Sequence, residues 1–336
     1  MYRILLTISI IFIRQSAISQ LYPQANDIGK WDLMTGMDYE ETLQYFPFEI
    51  DLANEYSEKR FVFIPKKKNW TSKIRARESK KNSWKGVPFE PSNMLQISSN
   101  KLMDQTEIAN INYQLFIAFV KADSAEGIHT KYLPTKNLEY YLDPEFYFYP
   151  VVGISNNQAS AYCLWRSRIM NYYAAISDGI RFDPGTPLAD SLVYNGGKTF
   201  LTGRLPTVHE WKKQAEQITI EEISLKVNSD IIEYFKNDRD EEYQLNYDIL
   251  AKDRTIKLYN VNVLNPSGLK MSLPSYIYSF NPNPNGFYHL IGNVAEMMED
   301  GSTVGGDFKT DPNSVFEIGS SNFSGFRCVC EVHSKN

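Results

Sequence analysis

Three cysteines are the side chains of this sequence best suited to redox or soft-metal chemistry, and they lie at Cys163, Cys328 and Cys330. Two thiolates can close a disulfide or hold a soft ion such as Cu(I). Alternate residues of an extended strand lie about 6.5 to 7 Å apart, so a bridge between Cys328 and Cys330 has poor geometry. The pairing is otherwise open, and the third thiol is predicted to be a small buried hydrophobic residue.

The other reactive side chains form no pattern typical of an active site. The histidines are isolated in sequence and lack the spacing of metal ligands, which favours surface or packed core positions for all of them. No Ser–His–Asp order, phosphate-binding loop or paired carboxylates stand out. The four histidines are His129, His209, His289 and His333.

Length and composition indicate one globular domain with a tail and an insertion. The 336 residues are 43% hydrophobic, which is enough to bury a full core. Lys and Arg number 35 against 40 Asp and Glu, which gives a formal charge of -5. So mild an imbalance does not predict binding to nucleic acid.

Residues 1–19 are predicted to be a signal peptide. Arg3 precedes an apolar run at 4–13, and residues 17–19 place small side chains at a signal-peptidase site. We therefore expect an exported protein, either periplasmic or secreted. No cysteine lies near the cleavage point, so no lipid anchor is expected, and no later segment has the length of a transmembrane span.

Hydrophobic periodicity indicates the elements that must position the reactive residues. Residues 20–59 show no clear periodicity and are predicted to be an extended lead-in. Residues 60–65 form a short apolar run that ends in proline, which predicts a strand. Residues 218–256 are polar and contain no glycine, which predicts a surface insertion with helical pieces.

Three amphipathic helices are predicted between these segments. The first has Asn110 as its N-cap, the second follows a strand-like run at 150–155, and the third begins with a capping box of Thr207 and Glu210. The residues predicted to face inward are Ile111, Leu115, Phe119 and Val120 in the first helix, Ala159, Tyr162, Cys163, Arg166 and Ile169 in the second, and Trp211 and Ala215 in the third.

Short blocks spread over most of the chain resemble, in order, the sulfatase-modifying-factor family, whose founding member is the formylglycine-generating enzyme. Each block is weak alone, but the ordered set is specific. The blocks are RFVFIP at 60–65, EIAN at 107–110, PVVGIS at 150–155, AYCLW at 161–165, RLPTVHEW at 204–211, NPNPNGFYHLIGNVAEM at 281–297, GGDF at 305–308 and GFRC at 325–328.

The resemblance implies an α+β fold, the formylglycine-generating-enzyme variant of the C-type lectin fold, which is rich in turns and has few long strands. It implies one domain over residues 60–332. It also implies a disulfide between Cys163 and Cys328, because the family pairs the cysteines of these two blocks. Cys330 is then the thiol that is left over.

The copper chemistry of the family is not expected in this chain. The resemblance places the two copper-binding cysteines three and eight residues after Asp307, where this sequence has Thr310 and Val315. Neither side chain supplies a thiolate, and a soft ion such as Cu(I) needs one. We therefore expect no copper and assign no catalytic residue.

The resemblance also implies candidate calcium ligands in the block at 281–297. They are the carbonyl oxygens of Gly292 and Val294 and the carboxylate of Glu296. His289 replaces the Asn or Asp of the family, and an imidazole is a poor ligand for calcium. The alternative for Glu296 is a buried carboxylate paired with Arg327 or Arg204.

A second calcium site of the family begins at an Asn-aliphatic pair, matched here by Asn260 and Val261. The aspartate expected downstream is missing from this sequence. Asn260 and Val261 are therefore the weaker of the two candidate calcium sites.

Two function classes remain open from the sequence. Residues 143–155 and 162–173 resemble gliding-motility and type IX secretion lipoproteins, a subgroup that lacks the copper cysteines and works through its surfaces. This favours a non-catalytic scaffold or interaction protein with protein partners in the cell envelope. The alternative is an oxidase that acts on protein cysteine through a divergent site. Six aromatic residues at 140–150 are either an interface or core beneath a loop.

Overall fold

The computed structural model describes most of the chain from Met94 onward. The described residues are 94–123, 127–143, 146–177, 199–226, 248–249, 252, 255–269, 271–280, 282–319 and 321–334. The predictions for the signal peptide at 1–19, the lead-in at 20–59 and the strand at 60–65 fall outside these residues.

The described residues mix helices with short strands, as the α+β prediction requires. The helices are α1 (Asn110–Asp123), α2 (Leu138–Leu142), α3 (Asn156–Ser177) and α4 (Val208–Ala215), with a 3-10 helix at Ile128–Tyr132. The strands are β1 (Met94–Ser98), β2 (Lys101–Asp104), β3 (Thr199–Arg204), β4 (Glu222–Lys226), β5 (Thr255–Tyr259), β6 (Ala295–Met297), β7 (Thr303–Val304), β8 (Ser324–Gly325) and β9 (Val329–Ser334).

Two sheets position the later motifs. One has four antiparallel strands in the order β1-β2-β9-β3, and Cys330 of β9 lies opposite Leu102 of β2 and Gly203 of β3. The other is a short sheet in the order β7-β6-β8, with Glu296 of β6 opposite Val304 and Gly325. No helix among the described residues has both the length and the apolar character needed to cross a membrane.

Helix α3 confirms the inward face predicted from its spacing, and it carries the disulfide. Its five predicted residues are all buried. The structure joins Cys163 to Cys328 with their Cα atoms 5.5 Å apart. A Cβ added to Gly203 would lie 2.0 Å from the carbonyl oxygen of Cys163, so only glycine lets β3 approach the helix this closely. The residues of the predicted face are Ala159, Tyr162, Cys163, Arg166 and Ile169.

The predicted inward face of helix α1 is confirmed in part. Phe119 is buried in the core, and Leu115 and Val120 are half-buried against the same cluster, whereas Ile111 is half-buried. Tyr113, Phe116 and Ile117 are buried in that cluster too, so the helix has a wider core face than its spacing predicted. Asn110 is the first helical residue rather than the N-cap, and its Nδ2 donates to the carbonyl of Phe146 at 2.8 Å.

The ends of the predicted insertion are strands. Residues 222–226 and 255–259 pair antiparallel as β4 and β5, where helical pieces were expected. Hydrogen bonding between the two ends outweighs local helical preference here. The prediction for 150–155 is also partly wrong, because only Pro150 makes a β-bridge, to Ala109.

The aromatic stretch at 140–150 is core rather than interface. Tyr140, Tyr141, Phe146 and Tyr149 are each at most 6% exposed. Tyr140, Phe146 and Tyr149 pack in one cluster with Val294. These side chains therefore support the segment that carries Glu296.

An ion-pair network fixes the start of α4. The capping box of Thr207 and Glu210 is confirmed. Glu210 also accepts hydrogen bonds from Arg204 at 2.8 and 2.9 Å and from Lys101 at 2.7 Å, and Arg204 donates to Glu331 at 2.7 Å. Burial alone would raise the pKa of Glu210, but the bonds from Arg204 and Lys101 lower it well below its usual 4.5.

Removing the disulfide should cost much of the stability. Because the bridge closes a loop of 165 residues, we expect Cys163→Ala with Cys328→Ala to lower the free energy of unfolding by about 4 to 5 kcal/mol. Urea denaturation followed by tryptophan fluorescence measures this. Cys330→Ala, the control, should cost about 1 kcal/mol. A double variant as stable as this control would contradict the prediction.

The network at Glu210 predicts a dependence on pH. Glu210→Gln keeps the capping box but loses the charge, so it should lower the free energy of unfolding by about 1 to 2 kcal/mol at pH 7. The pKa is lowered by folding, so this contribution is full above the usual 4.5 and is lost as pH falls through the folded value. The difference between wild type and variant should therefore shrink below pH 4.

Glu222→Gln is the matched control for this measurement. Glu222 pairs with Lys257 at 2.9 Å, but both side chains are largely exposed. Its removal should change the free energy of unfolding by less than about 0.5 kcal/mol at any pH. If both variants changed the free energy of unfolding equally, or if the effect of Glu210→Gln did not depend on pH, the stabilising ionic role of Glu210 would be refuted.

Candidate functional site

Glu296 lies at the centre of the candidate site, in the middle of β6, with no exposed surface. The Nε of Arg327 donates to its two carboxylate oxygens at 2.9 and 2.8 Å, and Nη2 donates to Oε1 as well. Trp211 of α4 donates from Nε1 to Oε2 at 2.8 Å. Burial raises the pKa of Glu296, and the charge of Arg327 opposes that rise.

Arg327 ties two backbone carbonyls to this carboxylate. Its Nη1 donates to the carbonyl of Asp104 at 2.9 Å, and its Nη2 donates to the carbonyl of Tyr288 at 2.8 Å. Asp104 in turn forms a second buried ion pair, with Arg166 of α3, and accepts a hydrogen bond from the Cys328 N–H at 2.7 Å. The two ion pairs and the disulfide therefore form one connected unit.

A polar network beside Glu296 was missed by the sequence analysis. Asn293 has a φ of 65°, and its Nδ2 donates to Glu107 at 2.9 Å. Its Oδ1 accepts from the Ser275 N–H at 2.6 Å and from Asn262 Nδ2 at 2.9 Å. Burial raises the pKa of Glu107, and nearby Glu296 adds to the rise. The one sequence feature that indicates this turn is the pair Gly292-Asn293, because Asn tolerates a positive φ better than most residues.

His289 is bonded to groups other than the candidate calcium ligands. Its Nε2 lies 3.1 Å from Ser279 Oγ and 3.2 Å from the carbonyl of Tyr276. Ser279 donates its own hydroxyl proton to that carbonyl at 2.6 Å, so the histidine nitrogen is the donor to both groups. Burial lowers the pKa of His289 to about 3, so the ring is neutral. Its role is to hold this turn together.

The residues around Glu296 do not fit a calcium ion. Both oxygens of the Glu296 carboxylate accept hydrogen bonds from Arg327, and Oε2 also accepts one from Trp211. A calcium ion at this carboxylate would have to displace a guanidinium and leave that cation buried without a partner. Among the described residues, no group of three or more His, Cys, Asp or Glu side chains is placed to hold a metal. The geometry matches the alternative, an ion pair with Arg327.

Asn260 and Val261, the second candidate calcium site, make hydrogen bonds within the protein. Asn260 Oδ1 accepts from the Glu221 N–H at 2.8 Å, and Nδ2 donates to the carbonyl of Thr219 at 2.9 Å. The carbonyl of Val261 accepts from the Val263 N–H at 3.1 Å. Asn260 therefore braces the base of the β4–β5 pair.

Thr310 and Val315 both lie on the turn that follows β7. Thr310 Oγ1 accepts from the Asp307 N–H at 2.8 Å and donates to Asp307 Oδ1 at 3.1 Å. Val315 is fully buried, and its carbonyl accepts from the Gly305 N–H at 3.1 Å. A hydroxyl and two methyl groups thus stand where the resemblance placed thiolates. This donor set does not fit copper.

Cys330 does not supply the missing thiolate. It is fully buried in β9, in a cluster with Met94, Leu102 and Met170. Burial raises the pKa of its thiol to about 12, so it stays protonated at neutral pH. Nucleophilic attack and metal binding both need the thiolate. Cys330 acts as a small apolar residue, as predicted.

Comparison with known proteins supports the resemblance. The model of the sulfatase-modifying factor enzyme 1-like domain matches residues 72–332 of this chain. A comparison with curated proteins gives no match.

Three solved structures resemble the fold at low identity. Variable protein 1 of Treponema denticola is 18% identical, with a TM-score of 0.35, over 69% of this chain and 84% of that chain. PvdO from Pseudomonas aeruginosa is 13% identical, with a TM-score of 0.35, over 69% and 80%. CarF is 16% identical, with a TM-score of 0.34, over 73% and 95%. Likenesses this weak carry no conclusion about function.

Breaking the ion pair at Glu296 should be strongly destabilising. Glu296→Gln leaves the Arg327 guanidinium buried without a counter-charge, so we expect a loss of about 3 to 5 kcal/mol in the free energy of unfolding. Glu299→Gln is the control, because Glu299 is half exposed and lies 3.8 Å from Arg204.

Adding calcium or a chelator should leave the wild-type melting temperature unchanged. A calcium-dependent rise that disappears in Glu296→Gln would place a calcium site there.

Proposed function

The chain belongs to the family of the sulfatase-modifying factor enzyme 1-like domain, and we propose that it is a non-catalytic member that acts as a scaffold or interaction protein of the cell envelope. One observation supports the proposal: the turn that follows β7 holds Thr310 and Val315 where the resemblance places the two copper-binding cysteines, and neither side chain is a thiol. With no thiolate on this turn, the oxidase chemistry of the family has no metal site.

The proposal extends to the fold and the location of the chain. It takes the fold to be the formylglycine-generating-enzyme variant of the C-type lectin fold, in one domain over residues 60–332. Export fits the disulfide between Cys163 and Cys328, because such bonds persist in oxidising compartments. A link to gliding motility or type IX secretion is part of the proposal, and it rests on the sequence blocks at 143–155 and 162–173.

The proposed function does not require a bound metal ion. The ion pair between Glu296 and Arg327 supplies the cross-link that a calcium ion would otherwise give this turn. Copper is left out because the described part of the chain offers one free cysteine, and that thiol is buried. In this proposal the protein functions by binding partners through the surface of the domain.

The alternative, an oxidase with a divergent site, is tested by oxygen consumption. The chain is incubated with a copper salt, a reductant and a cysteine-containing peptide, beside an active family enzyme as positive control. We expect no cysteine-dependent oxygen uptake from wild type. Cys330→Ser should behave in the same way, because the buried thiol takes no part.

Cysteine-dependent turnover by wild type would overturn the non-catalytic assignment. Its loss in Cys330→Ser would place the chemistry at that thiol, and its persistence would show that the site does not use Cys330. Conversion of the peptide cysteine, followed by mass spectrometry, confirms that any uptake comes from the peptide.

A further inference from the structure

Three large apolar side chains are exposed around the turn that replaces the copper site. Leu264 is 41% exposed, Phe316 is 44% exposed and Ile318 is 57% exposed. We call these three residues the loop surface. Exposed apolar groups that gather in one region of a folded protein mark interaction sites more often than chance.

The loop surface is held in place by the core beneath it. The Leu264 N–H donates to the carbonyl of Thr310 at 3.0 Å, and the Gly319 N–H donates to the carbonyl of Thr303 at 3.1 Å. Val263 and Val315, the neighbours of Leu264 and Phe316 in sequence, are buried in the same hydrophobic cluster. The exposure of the three side chains is therefore a property of an anchored loop.

The backbone of this loop is open to a further strand. Thr303 of β7 forms a bridge with Gly319, which places the loop at the outer edge of the β7-β6-β8 sheet. Within the described residues, no hydrogen bond reaches the N–H or C=O of Ile318 or the C=O of Phe316. Unpaired groups at a sheet edge are what an added polypeptide strand binds.

The charges beside the loop surface are mostly acidic. Asp311 and Glu317 are exposed in the same loop. Lys309, the cation that the structure describes in this loop, lies over the rings of Phe308 and Phe323 at 5.3 and 5.2 Å from their centroids. A partner with basic residues is thus favoured over an acidic one.

A second copy of this chain fits the surface poorly. A symmetric dimer would place the same patch against itself. Asp311 and Glu317 of the two copies would then face each other across the contact, and like charges repel.

We propose that the loop surface binds an extended segment of a partner protein, with apolar residues at alternate positions and Lys or Arg between them. The inference rests on the proposed interaction role and names the surface that performs it. The segment pairs with the backbone at Ile318, its apolar side chains contact Phe316, Ile318 and Leu264, and its cations lie near Asp311 and Glu317.

Fluorescence anisotropy with a defined peptide tests the proposal. The probe is a labelled nine-residue peptide that alternates Lys with Val, Phe and Ile, and the comparison peptide has Glu in place of Lys. We expect the purified chain to bind the basic peptide at least tenfold more tightly. Phe316→Ser with Ile318→Ser should weaken that binding at least tenfold, and the melting temperature shows that the variant is folded.

The chain offers a matched control in another exposed apolar pair. Leu138 and Leu142 of α2 are 45% and 55% exposed, and Leu138→Ser with Leu142→Ser should change the affinity less than twofold. Equal effects of the two double variants would refute the loop surface as the site. Binding lost only in the α2 variant would also refute it while leaving an interaction role in place.

Two further outcomes separate this inference from the proposed function. A wild-type dimer that becomes a monomer in Phe316→Ser with Ile318→Ser, by sedimentation velocity, would overturn the peptide assignment in favour of a second copy. Cysteine-dependent oxygen uptake would overturn the non-catalytic role. The anisotropy result alone decides whether the loop surface binds an extended basic segment.

Discussion

Arg327 and Glu296 carry opposite charges in a part of the core that has no exposed surface, so each depends on the other for its counter-charge. Taking one ion out of water costs several kcal/mol, and an unpaired partner would bear that cost alone. The same guanidinium also binds the carbonyls of Asp104 and Tyr288. β2 and the 281–297 block, which contains β6, therefore meet at this one group.

The constraint at Arg327 extends to the disulfide and to α3. Asp104 accepts from the Cys328 N–H and pairs with Arg166, and Cys328 is bonded to Cys163 one helical turn before Arg166. Gly292 belongs to the same unit, since a Cβ there would lie 2.1 Å from the carbonyl oxygen of Asn262. The turn-rich last third of the chain is thus held by buried polar contacts more than by long strands.

Features that depend on local spacing were predictable from the sequence. The inward face of α3 and the capping box of Thr207 and Glu210 follow from periodicity and short-range hydrogen bonds. The pairing of Cys163 with Cys328 needed the family resemblance, because three cysteines alone leave it open. The ion pair of Glu296 with Arg327 was one of two alternatives that the sequence allowed.

Features that depend on contacts between distant segments were not predictable. Glu107 and Asn293 are 186 residues apart, and neither has a neighbour in sequence that marks it as a partner. The core face of α1 is wider than its spacing predicted, because partners from a distant helix, such as Tyr162 against Tyr113, bury further residues. Strands β4 and β5 form by pairing with each other, and the sequence of either segment alone does not indicate which segment it pairs with.

The turn on which the resemblance places the copper ligands of the family is held in this chain by groups other than thiolates. Thr310 fixes the turn through Asp307, and Val315 fixes it through its carbonyl and its packing. None of these contacts requires a thiolate. The fold of this turn therefore does not depend on a cysteine at either position, and the exposed side chains of Phe316 and Ile318 extend from a backbone that these contacts hold in place.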